Sequence, residues 1–240
     1  MARRPGAAWR GELVIARDTG DVIRAVVFDL DGVLVDSERL WDQARREVAI
    51  EHNGHWRPDA TAAMLGMSSV EWSEYMRDTL AVDLPPGQIV DLVVASLLGQ
   101  YRRRLPLIPG AREAVQRIGR RWPLALASSA GRPVIDTVLA VAGLQHEFQA
   151  TVASEEVPRG KPAPDVYLEA ARRLGQQPAA CAAVEDSANG IRSAVAAGLH
   201  VVAIPNRDYP PPASVLAEAQ LVIDSLADLT VERVEQLAEA

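Results

Sequence analysis

Two aspartates one residue apart, Asp29 and Asp31, end an apolar run that begins at Val26, and Gly32 follows at once. The run reads as a buried strand, in which alternate side chains point to the same side. The two carboxylates therefore converge at the strand's C-terminal end, where open α/β sheets place their sites. Like charges held close repel, so the pair is costly unless a cation sits between them. Taken alone, Asp-Gly after a strand is also an ordinary turn.

Three further polar clusters follow: Ser128-Ser129, Arg159-Gly160-Lys161-Pro162 and Glu185-Asp186. Each has a plain reading of its own: a strand-end turn, a solvated lysine in a proline-fixed loop, and acids that favour a helix N-terminus. Together they supply oxygen ligands for Mg²⁺, and hydroxyls and an ammonium for phosphate oxygens. Phosphoryl transfer asks mainly for that kind of positioning and charge neutralisation.

The elements that must position these clusters alternate along most of the chain. Short apolar runs at 124–127, 151–153, 181–184, 201–204 and 221–223 read as strands after the first. Helical periodicity falls at 111–120, 133–142, 164–174, after Ser187 as an N-cap, and at 231–237. This rhythm predicts an α/β fold, a doubly wound parallel sheet. All strand C-termini then share one edge, where the four clusters meet.

Residues from about 38 to 105 break the rhythm. Ser37 is read as the N-cap of a helix carrying Leu40, Trp41, Ala44, Val48 and Ala49. Short helices follow at 59–64 and after Ser68, the latter running through Val70, Trp72, Tyr75, Met76 and Leu80. Pro85-Pro86-Gly87 interrupts, and a longer helix covers 89–104 with Ile89, Leu92, Val93, Leu97 and Tyr101. The expected organisation is an N-terminal extension at 1–20, a core from 21–36 and 106–240, and an inserted all-helical cap at 37–105. Val14 and Ile15 could add an edge strand. Trp41, Trp56 and Trp72 are read either as cap core or as substrate-facing, and Tyr209-Pro210-Pro211-Pro212 as a stiff loop.

The formal net charge of −7 argues against a broad nucleic-acid surface. No apolar run is long enough to span a bilayer, and no apolar stretch follows the N-terminal arginines as in a secretory signal. Cys181, the one cysteine, rules out an intramolecular disulfide and fits a reduced, cytoplasmic setting. With no unmatched long apolar helix, a monomer is expected.

The chain resembles the haloacid dehalogenase superfamily, in the branch of β-phosphoglucomutase and phosphoglycolate phosphatase. The matching motifs are Asp29-Leu30-Asp31-Gly32-Val33-Leu34-Val35-Asp36-Ser37-Glu38, Ala127-Ser128-Ser129, Gly160-Lys161-Pro162-Ala163-Pro164-Asp165, and Glu185-Asp186-Ser187-Ala188-Asn189-Gly190-Ile191. The resemblance implies a Rossmann-like core, with Asp29 as nucleophile through an aspartyl-phosphate and Asp31 as general acid/base. It implies Mg²⁺ held by Asp29, the Asp31 carbonyl and Asp186, with Glu185 as ligand or behind it. It also implies that Ser128, Ser129 and Lys161 bind the phosphoryl group, that Gly32 allows close backbone approach, and that the turn from Gly32 to Glu38 is a mobile flap below the cap.

In β-phosphoglucomutases the first cap helix carries a histidine and a cap loop carries an arginine. Here Trp41 and Ser69 fall at those places. The expectation is a Mg²⁺-dependent phosphatase of small phosphorylated metabolites, sugar phosphate or phosphoglycolate-like. A phosphosugar mutase is the alternative, followed by a non-catalytic phospho-ligand binder.

Overall fold

A computed structural model describes residues 22–239. Val14 and Ile15 lie outside the described residues. The core is a six-stranded sheet of β1 (Ala25–Phe28), β2 (Leu124–Ala127), β3 (Ala150–Val152), β4 (Cys181–Glu185), β5 (His200–Ala203) and β6 (Leu221–Val222). Its order is β3-β2-β1-β4-β5-β6, and each adjacent pair is parallel. Strand β1 lies centrally, with Val27 opposite Ala125 on one side and Ala183 on the other.

Strand alternation divides the core into two layers. Val26, Phe28, Leu124, Leu126, Ala182 and Val184 face one layer, closed by α5 (Ala111–Gly119), α6 (Arg132–Ala142) and α10 (Val231–Glu235). Ala25, Val27, Ala125, Ala127, Cys181 and Ala183 face the other, closed by α7 (Asp165–Arg173), α8 (Ala188–Ala196) and the short α9 (Ala213–Leu216). The chain winds outward through β2 and β3, then returns to β4 beside β1. The order therefore reverses between β1 and β4, and a crevice opens beyond their C-termini.

The helical insert comprises α1 (Glu38–Glu51), α2 (Ala60–Met64), α3 (Ser69–Asp78) and α4 (Pro86–Arg103). Its apolar interior is continuous with the α5/α6 layer. Two connections join it to the sheet: Asp36 N–H donates to Pro106 O at 2.9 Å, and Ile108 N–H to Leu34 O at 3.0 Å. Ser68 caps α3 as expected, in a reciprocal box with Glu71.

Four local readings change. Pro85-Pro86-Gly87 starts a helix rather than breaking one: Pro86 is the first residue of α4, where its missing N–H costs nothing. Val70 and Leu92, at apolar-periodic places, are exposed. Helix α9 follows the triple proline, where no helix was expected. Ser37 precedes α1 but makes no side-chain cap, because its hydroxyl is used elsewhere.

Candidate active site

Asp29 follows β1 and is nearly buried; its backbone N–H donates to Val184 O at 3.0 Å. Lys161 arrives on the loop before α7. Its Nζ donates to Asp29 Oδ1 at 2.6 Å, Glu185 Oε1 at 2.6 Å and Ala127 O at 3.1 Å, and lies 3.3 Å from the Tyr167 hydroxyl. Burial by itself would lower this ammonium's pKa. Asp29 and Glu185 outweigh burial and hold it above the ordinary lysine range.

Glu185 is fully buried at the end of β4. Oε1 also accepts from Tyr167 at 2.7 Å, and Oε2 from the N–H groups of Asp186 and Ser187 and the Ser187 hydroxyl. Both oxygens thus have protein donors. Room for this carboxylate comes from Gly190, where a Cβ would sit 1.9 Å from the Glu185 carboxyl carbon.

Asp186 accepts from Asn206 Nδ2 at 3.1 Å. A Cβ on Gly32 would lie 1.9 Å from Asp186 Oδ2, and Gly32 has φ +84°, so glycine is required twice over. Asp29, Glu185 and Asp186 each place a carboxylate oxygen within 4.8 Å of the others. Burial, and after it the neighbouring carboxylates, push Asp186 well above the ordinary range. Burial likewise raises Asp29, with Lys161 opposing. Three buried carboxylates against one ammonium form a hard-oxygen set that suits a divalent cation.

Asp31 stands beside this cluster on the wall of a cavity of about 430 Å³. Its Oδ1 accepts from the Ser37 hydroxyl at 2.5 Å and from Trp41 Nε1 at 3.0 Å. The cavity lies between core and cap. Ser129 and Ala130 line it, while Ser128 is buried beneath, its Oγ accepting the Ala130 N–H at 3.0 Å. Gly66 and Met67 of the cap also line it, and Gly66 meets Asn189 of α8. Cap and core are therefore in contact around the site.

A family model for haloacid dehalogenase-like hydrolases matches residues 23–198. The chain belongs to the haloacid dehalogenase-like hydrolases. It is 34% identical to hexitol phosphatase B of Escherichia coli over 88% of this chain and 96% of that one. It is 32% identical to the fructose-1-phosphate phosphatase of the same organism, over 74% and 94%. A crystal structure of a CbbY variant from Rhodobacter sphaeroides with xylulose-1,5-bisphosphate superposes at a TM-score of 0.76, with 25% identity over 86% and 96%. Family and relatives together make this hydrolase a phosphatase.

The fold brings Asp29, Lys161, Glu185 and Asp186 of this hydrolase into contact, with Asp31 and Ser129 on the cavity beside them. Sequence reading missed Tyr167, Asn206 and Arg45, and it quoted Gly190 and Glu38 within motifs without giving either a role of its own at the site. Tyr167 lies six residues after Lys161, on the inward face of α7, the one signal that pointed to it. The triple proline and Tyr209, left without a role, form part of the cavity wall. On the cap side, burial and then Asp31 push Glu38 to about 7, with Arg45 opposing. Burial lowers Arg45 to about 10.

Proposed function

We propose that this chain is a Mg²⁺-dependent phosphatase of small phosphorylated metabolites, acting through an aspartyl-phosphate on Asp29. The observation that carries this reading is the buried Asp29–Lys161–Glu185–Asp186 cluster opening on a cavity that holds Asp31. Lys161 fixes Asp29 Oδ1, while Oδ2 accepts no hydrogen bond among the described residues. That oxygen attacks phosphorus as the ester P–O bond breaks, and Asp31 delivers a proton to the departing alkoxide. Asp31 then takes a proton from water as the water oxygen attacks phosphorus. Inorganic phosphate leaves and the Asp29 carboxylate is restored.

Ser37 and Trp41 hold one Asp31 oxygen and leave the other for the proton. Ser129, with Ser128 beneath it, receives the phosphoryl oxygens, Lys161 neutralises their charge while its N–H groups hold Asp29, Glu185 and Ala127, and Gly32 keeps the backbone close to Asp186. Asp29, the Asp31 carbonyl and Asp186 would hold Mg²⁺, with Glu185 behind them because its oxygens already accept from protein donors. The ion would neutralise phosphoryl charge as a Lewis acid.

The indole of Trp41 has no basic nitrogen and is committed to Asp31, which supports hydrolysis over a mutase that uses histidine there. We assign residues 21–36 and 106–240 to the core domain and 37–105 to the cap. The acidic charge speaks against a nucleic-acid partner and the single buried cysteine for a cytoplasmic setting, and the lack of an unmatched long apolar helix among the described residues supports a monomer that does not use a membrane.

The test is hydrolysis of p-nitrophenyl phosphate. Activity is expected to vanish with EDTA, return with Mg²⁺, and fall at least about 10³-fold in Asp29→Asn. Turnover unchanged by that substitution would remove Asp29 as nucleophile.

A further inference from the structure

Glu38 and Arg45 face the same cavity from the cap and take no part in the chemistry above. Glu38, Trp41 and Arg45 recur on α1 at spacings of three and four, so one helix face carries all three. All three line the cavity. Arg45 is only 7% exposed. Its guanidinium lies 4.9 Å from the centre of the Trp41 ring and 5.1 Å from that of Trp72.

Those aromatic faces favour a cation but accept none of its N–H donors in the guanidinium plane. Arg45 Nε has no hydrogen-bond partner. Among the described residues, Arg45 forms no ion pair, although Glu38, Asp31 and Asp42 lie close enough to act on its charge. The half-buried Glu38 carboxyl likewise has no hydrogen bond or ion pair among the described residues. Buried polar groups without partners are costly, and charged ones more so. Both groups on one wall of one cavity are therefore free to bind an occupant.

We propose that Glu38 and Arg45 read the alcohol portion of the substrate, and that this portion is a neutral polyhydroxy compound, a sugar or sugar alcohol carrying one phosphate. The proposal rests on the phosphatase reading of the site. A hydroxyl accepts from a guanidinium and donates to a carboxylate, so one vicinal pair of hydroxyls satisfies both side chains. A second phosphate suits the place poorly. Arg45 is one cation among the carboxylates of Glu38, Asp31 and Asp42, and that field repels a dianion.

The experiment compares kcat/KM for a hexitol monophosphate, a hexose monophosphate, a hexose bisphosphate and p-nitrophenyl phosphate in the wild type, Arg45→Met and Arg45→Lys. The wild type is expected to prefer the polyhydroxy monophosphates over the bisphosphate. The ratio of hexitol monophosphate to aryl phosphate is expected to fall at least about tenfold in both variants, mainly through KM, because lysine lacks the planar fork. If Arg45→Met does not fold, Arg45→Lys decides. An unchanged ratio, or a wild-type preference for the bisphosphate, overturns the subsite while p-nitrophenyl phosphate turnover keeps the phosphatase reading intact. Failure of the wild type to hydrolyse any of the four overturns both.

Discussion

The two walls of the cavity are built on opposite terms. On the core wall the hydrogen bonds are closed around all but the attacking oxygen of Asp29: Lys161 has four oxygen neighbours, and Glu185 accepts on both oxygens. On the cap wall Glu38 and Arg45 reach the cavity with no hydrogen-bond partner among the described residues, Arg45 being held only by the faces of Trp41 and Trp72. A closed network in low dielectric holds its members in one geometry, which suits chemistry that is the same for every substrate. Open polar groups keep their donors and acceptors for whatever enters. The core wall is thus preorganised for phosphate and the cap wall is left to discriminate.

Breaking the closed wall should cost most. Lys161→Met leaves Asp29 and Glu185 charged, buried and unpaired, a loss of about 3–5 kcal/mol. For a chain of this length the thermal midpoint should fall by roughly 6–20 °C. A change below about 1 kcal/mol would mean that the core network contributes little to the fold.

A smaller effect is expected at Gly190. Its alanine variant drives a methyl into the Glu185 carboxylate and disturbs Lys161 through it. Stability should drop by about 1–3 kcal/mol, and turnover should drop with it. Gly87→Ala is the control, because open space surrounds that position in α4. It should gain about 0.5–1 kcal/mol. Equal denaturation midpoints for the two variants would refute the crowding argument.

The open wall should respond in the opposite direction. Glu38 has its pKa raised from 4.5 to about 7 in the fold, first by burial. Between those values the folded state keeps a proton that the unfolded chain has lost. The contribution of Glu38 to stability therefore falls as pH rises through that window and is level above it. Glu38→Gln should be more stable than the wild type at pH 8, by about 1–2 kcal/mol for a half-buried group, and equal to it below pH 4. Urea denaturation at the two pH values measures this, and a variant less stable at pH 8 would show that Glu38 is a satisfied carboxylate after all.

Much of the core was legible because its signals are local. The apolar runs at 124–127 and 181–184 become β2 and β4 within a residue, since buried parallel strands need continuous apolar sequence. The cap was less legible. Pro86 satisfies both a break and a helix start, and only the packing of α4 chooses between them. Ser37 has the right type for an N-cap, yet Asp31 takes its hydroxyl. Trp41 left core and cavity open as readings, and it serves both, buried by its ring and bonded to Asp31 by its nitrogen.

The sequence by itself determined the identity and order of the acidic, hydroxyl and lysine clusters, and that they follow strands of one parallel sheet. Strand periodicity and the α/β alternation act over a few residues, so those features are written in short stretches of chain. Tertiary structure alone decided how the charges are allotted. Glu185 and Asp29 lie 24 and 132 residues from Lys161, and only the return of the chain to β4 beside β1 lets one ammonium hold both. The same holds for Glu38 and Arg45. Any exposed helix can carry such a pair, and it becomes a reader of substrate because the fold sets it against the cavity with no hydrogen-bond partner among the described residues.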